Sequence, residues 1–139
     1  MQISRKAIYA IKAMIYVAAH KNKRLVTITE IAEYEGVPRE YLAKILKELA
    51  QKGILISYKG VKGGYRLGKE RNQISFQDIL EASLESSFRS TGLSSKGKDN
   101  LFRGASLKFW QDLNVIATKK LSAMTLDKID YKKFYPDAR

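Results

Sequence analysis

Apolar residues recur with a helical period from position 3 to 20. In "ISRKAIYAIKAMIYVAAH", Ile8, Ile11, Ile15 and Ala18 form one line, with Ala7, Ala10, Met14 and Val17 beside it. That spacing predicts a helix with a broad buried face. Ser4 is a natural N-cap, and Ile3 and Ile8 have hydrophobic-staple spacing. A basic link, "KNKRLV" (21–26), leads to a short helix in "TITEIAEYEG" (27–36). Thr27 and Glu30 have capping-box spacing, Ile31, Ala32 and Tyr34 are expected to face inward, and Gly36 suits a left-handed C-cap. A second helix follows at once in "VPREYLAKILKELAQKG" (37–53). Pro38 fits its first turn, Leu42, Ile45, Leu46 and Leu49 make its inner stripe, and Gly53 ends it. Two helices joined by a very short Gly-containing turn form a helix-turn-helix, a pattern shared with many helical hairpins.

The period then switches to two. "ILISYKGVKGGYRLGK" (54–69) places Ile54, Ile56 and Tyr58 on one face of a strand, and Tyr65 and Leu67 begin a return strand. Between them lies a Gly- and Lys-rich tip. A helix, a helix-turn-helix and a basic hairpin, in that order, make a winged helix. "NQISFQDILEASLE" (72–85) reads as another helix, capped by Ser75 with Asp78 at N3 and a staple of Ile74 and Ile79. "SSFRSTGLSSKGKDN" (86–100) is rich in Ser, Gly and Lys and reads as a mobile loop.

The last long helix lies in "LFRGASLKFWQDLNVIATKKLSAM" (101–124), above all from Ala105 onward. Trp110, Leu113, Ala117, Leu121 and Met124 mark one stripe, and Phe102, Phe109 and Ile116 a second. Apolar residues on more than one face call for more than one neighbour. Pairing with the same helix of a second subunit satisfies this, and so does an intramolecular core position. "TLDKI" (125–129) is a short capped turn, and "DYKKFYPDAR" a polar-aromatic tail. The expected fold is therefore mainly α with a small β-hairpin. A winged helix-turn-helix, expected to be a DNA-binding domain, would span 1–85, a flexible loop 86–104, and a long C-terminal helix, expected to serve dimerisation, with its tail 105–139.

Charge sharpens this picture. The chain has 26 basic and 14 acidic residues, a net charge of +12. Residues 1–70 carry 14 basic and 6 acidic side chains (+8), and residues 71–139 carry 12 and 8 (+4). A strongly basic domain is the electrostatic footprint of a nucleic-acid binder. There is no cysteine and one histidine, His20. This excludes disulfides, thiolate catalysis and cysteine-ligated metal sites. No nucleophile–base pair can be assembled, so no catalytic residue is assigned and an enzyme is not expected. No apolar run approaches the roughly 18 residues of a membrane span, and "MQISRKAIYA" lacks the shape of a signal peptide. A cytoplasmic protein is expected.

The basic residues fall at positions where duplex contacts are made. Arg5 and Lys6 occupy the first turn of the first helix, where the dipole prefers acids. They serve a docked phosphate there, or they are merely solvated. The outer face of the second helix of the motif carries Arg39, Glu40, Ala43, Lys44 and Lys47. Residues near the start of such a helix reach base edges, and Arg39 and Lys44 are types that pair with guanine. Lys47 and Lys52 read as phosphate or solvent residues.

"ISRKAIYAIKAM", "TITEIAEYEGVPREYLAKILKELAQKGILISYKGVKGGYRLGK" and "ISFQDILEA" resemble the Rrf family of bacterial winged-helix transcription regulators. The combination of "IAE", "YLAKIL" and "GGYRL" at these spacings carries the resemblance, densest over residues 2–85. It implies a homodimer on a pseudo-palindromic operator in double-stranded DNA. The 38–51 helix would lie in the major groove and the wing, 57–66, at the minor groove. The positions matching the family's DNA contacts are Ser4, Arg5 and Lys6, then Arg39, Glu40, Tyr41 and Lys44, then Lys59, Gly60 and Lys62. Tyr41 also fits a core role with its hydroxyl on a phosphate. Trp110, Leu113, Ala117 and Leu121 fall on the family's dimerisation helix. Cluster-binding members carry three cysteines in the loop matching 86–104, and here there are none. Asp99 is the one coordinating side chain in that loop. No iron–sulfur cluster, no other cofactor and no metal site are therefore expected. Members without a cluster respond to a partner protein or another signal, which the resemblance leaves unnamed. The alternative function is a winged-helix module that binds a protein partner or RNA.

Overall fold

The computed structural model describes residues 4–21, 25–83 and 103–138. Helix α1 (Arg5–Ala19) begins where Ser4 Oγ accepts the Ala7 N–H at 3.2 Å. Its deepest line is Ala7, Ala10, Met14 and Val17, joined by Ala13, Tyr16, Ala18 and Ala19. Ile8, Ile11 and Ile15, expected to lead the buried stripe, instead sit at its margin, and Ile8 is 40% exposed. Small alanines on the inner line let α3 and α4 approach closely, which pushes the larger isoleucines outward. Ile3, the proposed staple partner, lies outside the described residues.

Helix α2 (Ile28–Glu35) has the complete capping box: Glu30 N–H donates to Thr27 Oγ1 at 3.2 Å, and Thr27 N–H to Glu30 Oε2 at 3.1 Å. It ends at Gly36 with φ +66°, the left-handed conformation that glycine adopts most cheaply. Helix α3 (Arg39–Gln51) buries Leu42, Ile45, Leu46 and Leu49 and leaves its other face in solvent.

Strands β1 (Leu55–Tyr58) and β2 (Gly64–Leu67) pair antiparallel, with Leu55 opposite Leu67 and Ile56 opposite Arg66. Leu55, Tyr65 and Leu67 turn to the core, and Ile56, Tyr58 and Arg66 turn outward. At the tip, Gly63 N–H donates to the Gly60 carbonyl at 3.0 Å. A Cβ on Gly63 would collide with the Tyr58 carbonyl. The stretch read as a basic link contributes a third segment: Val26 and Tyr65 exchange two backbone hydrogen bonds, at 2.9 and 2.8 Å.

A 3-10 turn (Arg71–Gln73) precedes α4 (Phe76–Ser83), which begins directly after Ser75, the cap expected for it. Ile74 and Ser75 are drawn out of helical geometry by pairing with Thr125. Ser75 Oγ still accepts the Asp78 N–H at 3.1 Å, and Ile74 and Ile79 are fully buried.

Helix α5 (Ala105–Ala123) has no buried residue along its 19 positions. A 3-10 turn (Leu126–Lys128) then returns the chain to the core, where Leu126 is fully buried. The last residues do not trail off as a polar tail. A short helix α6 (Tyr131–Phe134) sets Tyr131 under the Arg71 guanidinium and brings Tyr135 against Tyr16, His20 and Tyr34. Tyr34, expected to face inward, is 59% exposed and lies against the Tyr16 and Tyr135 rings.

Candidate nucleic-acid interface

The solvent face of α3 begins with Arg39, Glu40, Tyr41 and Lys44, all exposed. Their placement follows from the burial of Leu42, Ile45, Leu46 and Leu49: a helix whose one stripe is committed must present the remaining positions outward. Arg39 is partly positioned, because its Nε donates to Thr29 Oγ1 on α2 at 3.3 Å. Tyr41 is 41% exposed and meets the Tyr9 ring edge-on at 5.5 Å, so it is an oriented surface ring and not a core residue. Lys44 makes no ion pair among the described residues.

The start of α1 joins this face less simply. Arg5 is exposed, while Ser4 uses its hydroxyl as the cap. Lys6 is not an open cation: its Nζ lies 2.8 Å from Glu48 Oε2 on α3, and its side chain is only 12% exposed. The pair locks α1 to α3, and at this partly buried site it neutralises a charge expected to face solvent. In the wing, Lys59 and Lys62 are exposed and flank Val61, which is fully exposed. Gly60 adopts φ +108°, a conformation open to glycine, at the turn that presents them.

Thr29, Glu48 and Tyr9 hold the expected contact residues in place, yet none stood out in the sequence. No local motif announces them, because each pairs with a residue on another helix. The tail cluster was equally hidden. Tyr135 Oη donates to Glu35 Oε1 at 3.4 Å, and Lys12 Nζ donates to the Glu35 carbonyl at 3.0 Å. Burial raises the Glu35 carboxyl above its ordinary value, against the opposing pull of Lys12 and the Tyr135 hydroxyl. Burial likewise pushes the Tyr131 phenol up to about 12, with Arg71 opposing and Asp127 adding to the rise. These groups tie the segment around Tyr135 to α1 and α2.

On the far helix, Trp110 and Leu121 are half-buried and Leu113 and Ala117 exposed. Phe109 is 66% exposed. Among the described residues no group of three His, Asp or Glu side chains is placed to hold a metal, and none has a helix long and apolar enough to cross a membrane. His20 is engaged otherwise: its Nδ1 lies 2.8 Å from the Tyr16 carbonyl and its ring stacks on Tyr16 at 4.3 Å.

A family model described as "Rrf2: Iron-dependent Transcriptional regulator" matches residues 3–130. The chain is 31% identical over 129 residues to the HTH-type transcriptional regulator IscR of Pectobacterium carotovorum, covering 93% of this chain and 79% of that protein. Its structure is similar to that of T. potens IscR, with a TM-score of 0.74 at 26% identity over 91% of this chain and 84% of that one. It is also similar in fold to CymR, the global cysteine regulator of B. subtilis, with a TM-score of 0.73 at 24% identity over 91% and 94%. The family description names iron, but the sequence has no cysteine and so no thiolate to offer a cluster, and its one imidazole has Nδ1 on the Tyr16 carbonyl.

Proposed function

The chain belongs to the Rrf2 family of transcriptional regulators, and on that premise we propose that it acts as a homodimer on a pseudo-palindromic operator without an iron–sulfur cluster. Family membership makes it a DNA-binding regulator and not an enzyme. The winged helix-turn-helix fold is that of IscR and CymR. The proposed division of labour gives DNA binding to 1–85 and dimerisation to the helix within 105–139, with 86–104 between them. Residues 124–135 fold back onto the first part.

The observation that carries the DNA contacts is the state of α3. Its apolar stripe is fully satisfied inside the subunit, and its free face starts with two cations, one of them oriented by Thr29. Arg39 and Lys44 supply base contacts in the major groove, with Glu40 and Tyr41 completing that surface. Ser4 and Arg5 meet the backbone at the start of α1. Lys6, paired with Glu48, holds that start of α1 against α3. Lys59, Gly60 and Lys62 carry the wing to the adjacent minor groove. Non-specific affinity from the cations alone would lie at about 10⁻⁴–10⁻⁶ M, and specific sites at about 10⁻⁸–10⁻¹¹ M. The bare helix α5 supports a second copy as its partner, through Trp110, Leu113, Ala117 and Leu121.

Selection of bound fragments from genomic DNA, followed by binding titrations at several salt concentrations, tests the reading. One strongly preferred palindromic site is expected. Wild-type discrimination in the combined Arg39→Ala, Lys44→Ala, Lys59→Ala and Lys62→Ala variant would sink the contact assignment. Lack of a cluster is checked on protein purified from iron-replete cells: stoichiometric iron with a visible charge-transfer band would refute it.

A further inference from the structure

A groove of about 500 Å³ opens behind the wing, between the end of α1 and the outer face of the hairpin. Four cations line it, Lys21, Arg66, Lys69 and Arg71, against one acid, Glu70. Lys21, Arg66 and Lys69 are exposed, and no salt bridge joins any of them to an acid among the described residues. Arg66 is oriented, because its guanidinium lies over the Tyr58 ring at 5.0 Å. The strand register sets Ile56 directly beside it, giving the groove an apolar wall.

Arg71 plays a different part. Its Nε and Nη2 both donate to the Ala18 carbonyl, and its guanidinium lies over Tyr131 at 4.1 Å. It therefore caps the last turn of α1, whose carbonyl end would otherwise repel an anion. With that end covered, the groove presents three uncommitted cations. A 15-residue helix is about 22 Å long, so this site lies a helix length from the Ser4–Lys6 end that faces the proposed operator.

We propose that this groove is a phosphate-binding site distinct from the exposed face of α3 and from the Lys59–Lys62 tip, Arg66 being the one wing residue that lines it. A planar guanidinium and two ammonium groups lining one groove suit a phosphate chain, the guanidinium binding two oxygens and the lysines adding point charge. The phosphates come from a free phosphorylated molecule or from duplex flanking the operator. The first source stands independently of the operator reading.

Inorganic tripolyphosphate titrated into the full chain tests the first source, by calorimetry. Saturable binding is expected, weakened at least tenfold by Lys21→Ala with Lys69→Ala and by Arg66→Gln. A control with equal charge loss, Lys128→Ala with Lys132→Ala, is expected to bind as wild type. For the second source, the selected operator is compared as a short duplex and as one extended by about ten base pairs at each end. If the groove variant loses affinity only on the longer duplex, the flanking backbone is the ligand. Equal behaviour of groove and control variants in both arms overturns the proposal. Every substituted position is exposed, and circular dichroism confirms that each variant is folded.

Discussion

Helices α3 and α5 have opposite unmet needs. Helix α3 spends its leucines and Ile45 inside its own subunit and leaves cations in water. Helix α5 is longer, carries Phe109, Leu113, Val115 and Ile116, and buries no residue. What α3 lacks is counter-charge, and a polyanion supplies that. Helix α5 lacks apolar cover, and a matching helix supplies it. The proposed DNA contacts and the proposed pairing with a second copy thus rest on separate physics, carried by two different helices.

The contrast is broken most violently inside α3. Leu46→Ala removes a fully buried side chain, and a loss of about 2–5 kcal/mol in urea unfolding is expected. The corresponding truncation on α5 should barely move monomer stability. Leu113, 42% exposed, is instead the place to separate subunits. Leu113→Glu is expected to raise the dimer dissociation constant at least a hundredfold, about 2.8 kcal/mol, by sedimentation. An unchanged dimer would move the interface elsewhere.

On the polar side, Arg39→Ala should cost about 1–3 kcal/mol of discrimination between the operator and single-base variants. Lys59→Ala should weaken all duplexes alike and lower the salt slope by about one. A preference change from Lys59→Ala, or a uniform loss from Arg39→Ala, would exchange their roles.

The smallest effect belongs to the tail cluster, where neither need applies. The folded chain holds a proton on Glu35 more tightly than the unfolded chain does, because the carboxyl lies above its ordinary 4.5. Its contribution to stability is therefore fully present below the unfolded value and is lost as pH rises through the raised one. Glu35→Gln should flatten that slope in melting temperatures measured across the carboxylate range. A slope unchanged by the substitution would assign it to other groups.

What was legible in the sequence was local. The Thr27–Glu30 box, the left-handed Gly36, the α3 stripe and the hairpin all rest on residues within a few positions of one another. Misreadings arose where distant segments decide. Val26 looked like linker because its strand partner, Tyr65, lies beyond two helices. Ser75 was legible as a cap, but its bridge to Thr125 was not, because that partner lies far along the chain. Tyr131 and Tyr135 looked like tail because nothing nearby shows that Tyr16 and Arg71 await them. Of the candidate cations, Arg5, Arg39, Lys44, Lys59 and Lys62 lie exposed, and Lys6 does not, because its partner Glu48 sits on another helix.

The bridge between Val26 and Tyr65 has a mechanical consequence. Val26 is bonded on both its backbone groups to the wing, and the next residue, Thr27, caps α2. Two backbone hydrogen bonds thus clamp the wing to the residue that precedes the α2 cap, like the bridge of a caliper, so a shift of the wing would pull on the start of the helix-turn-helix.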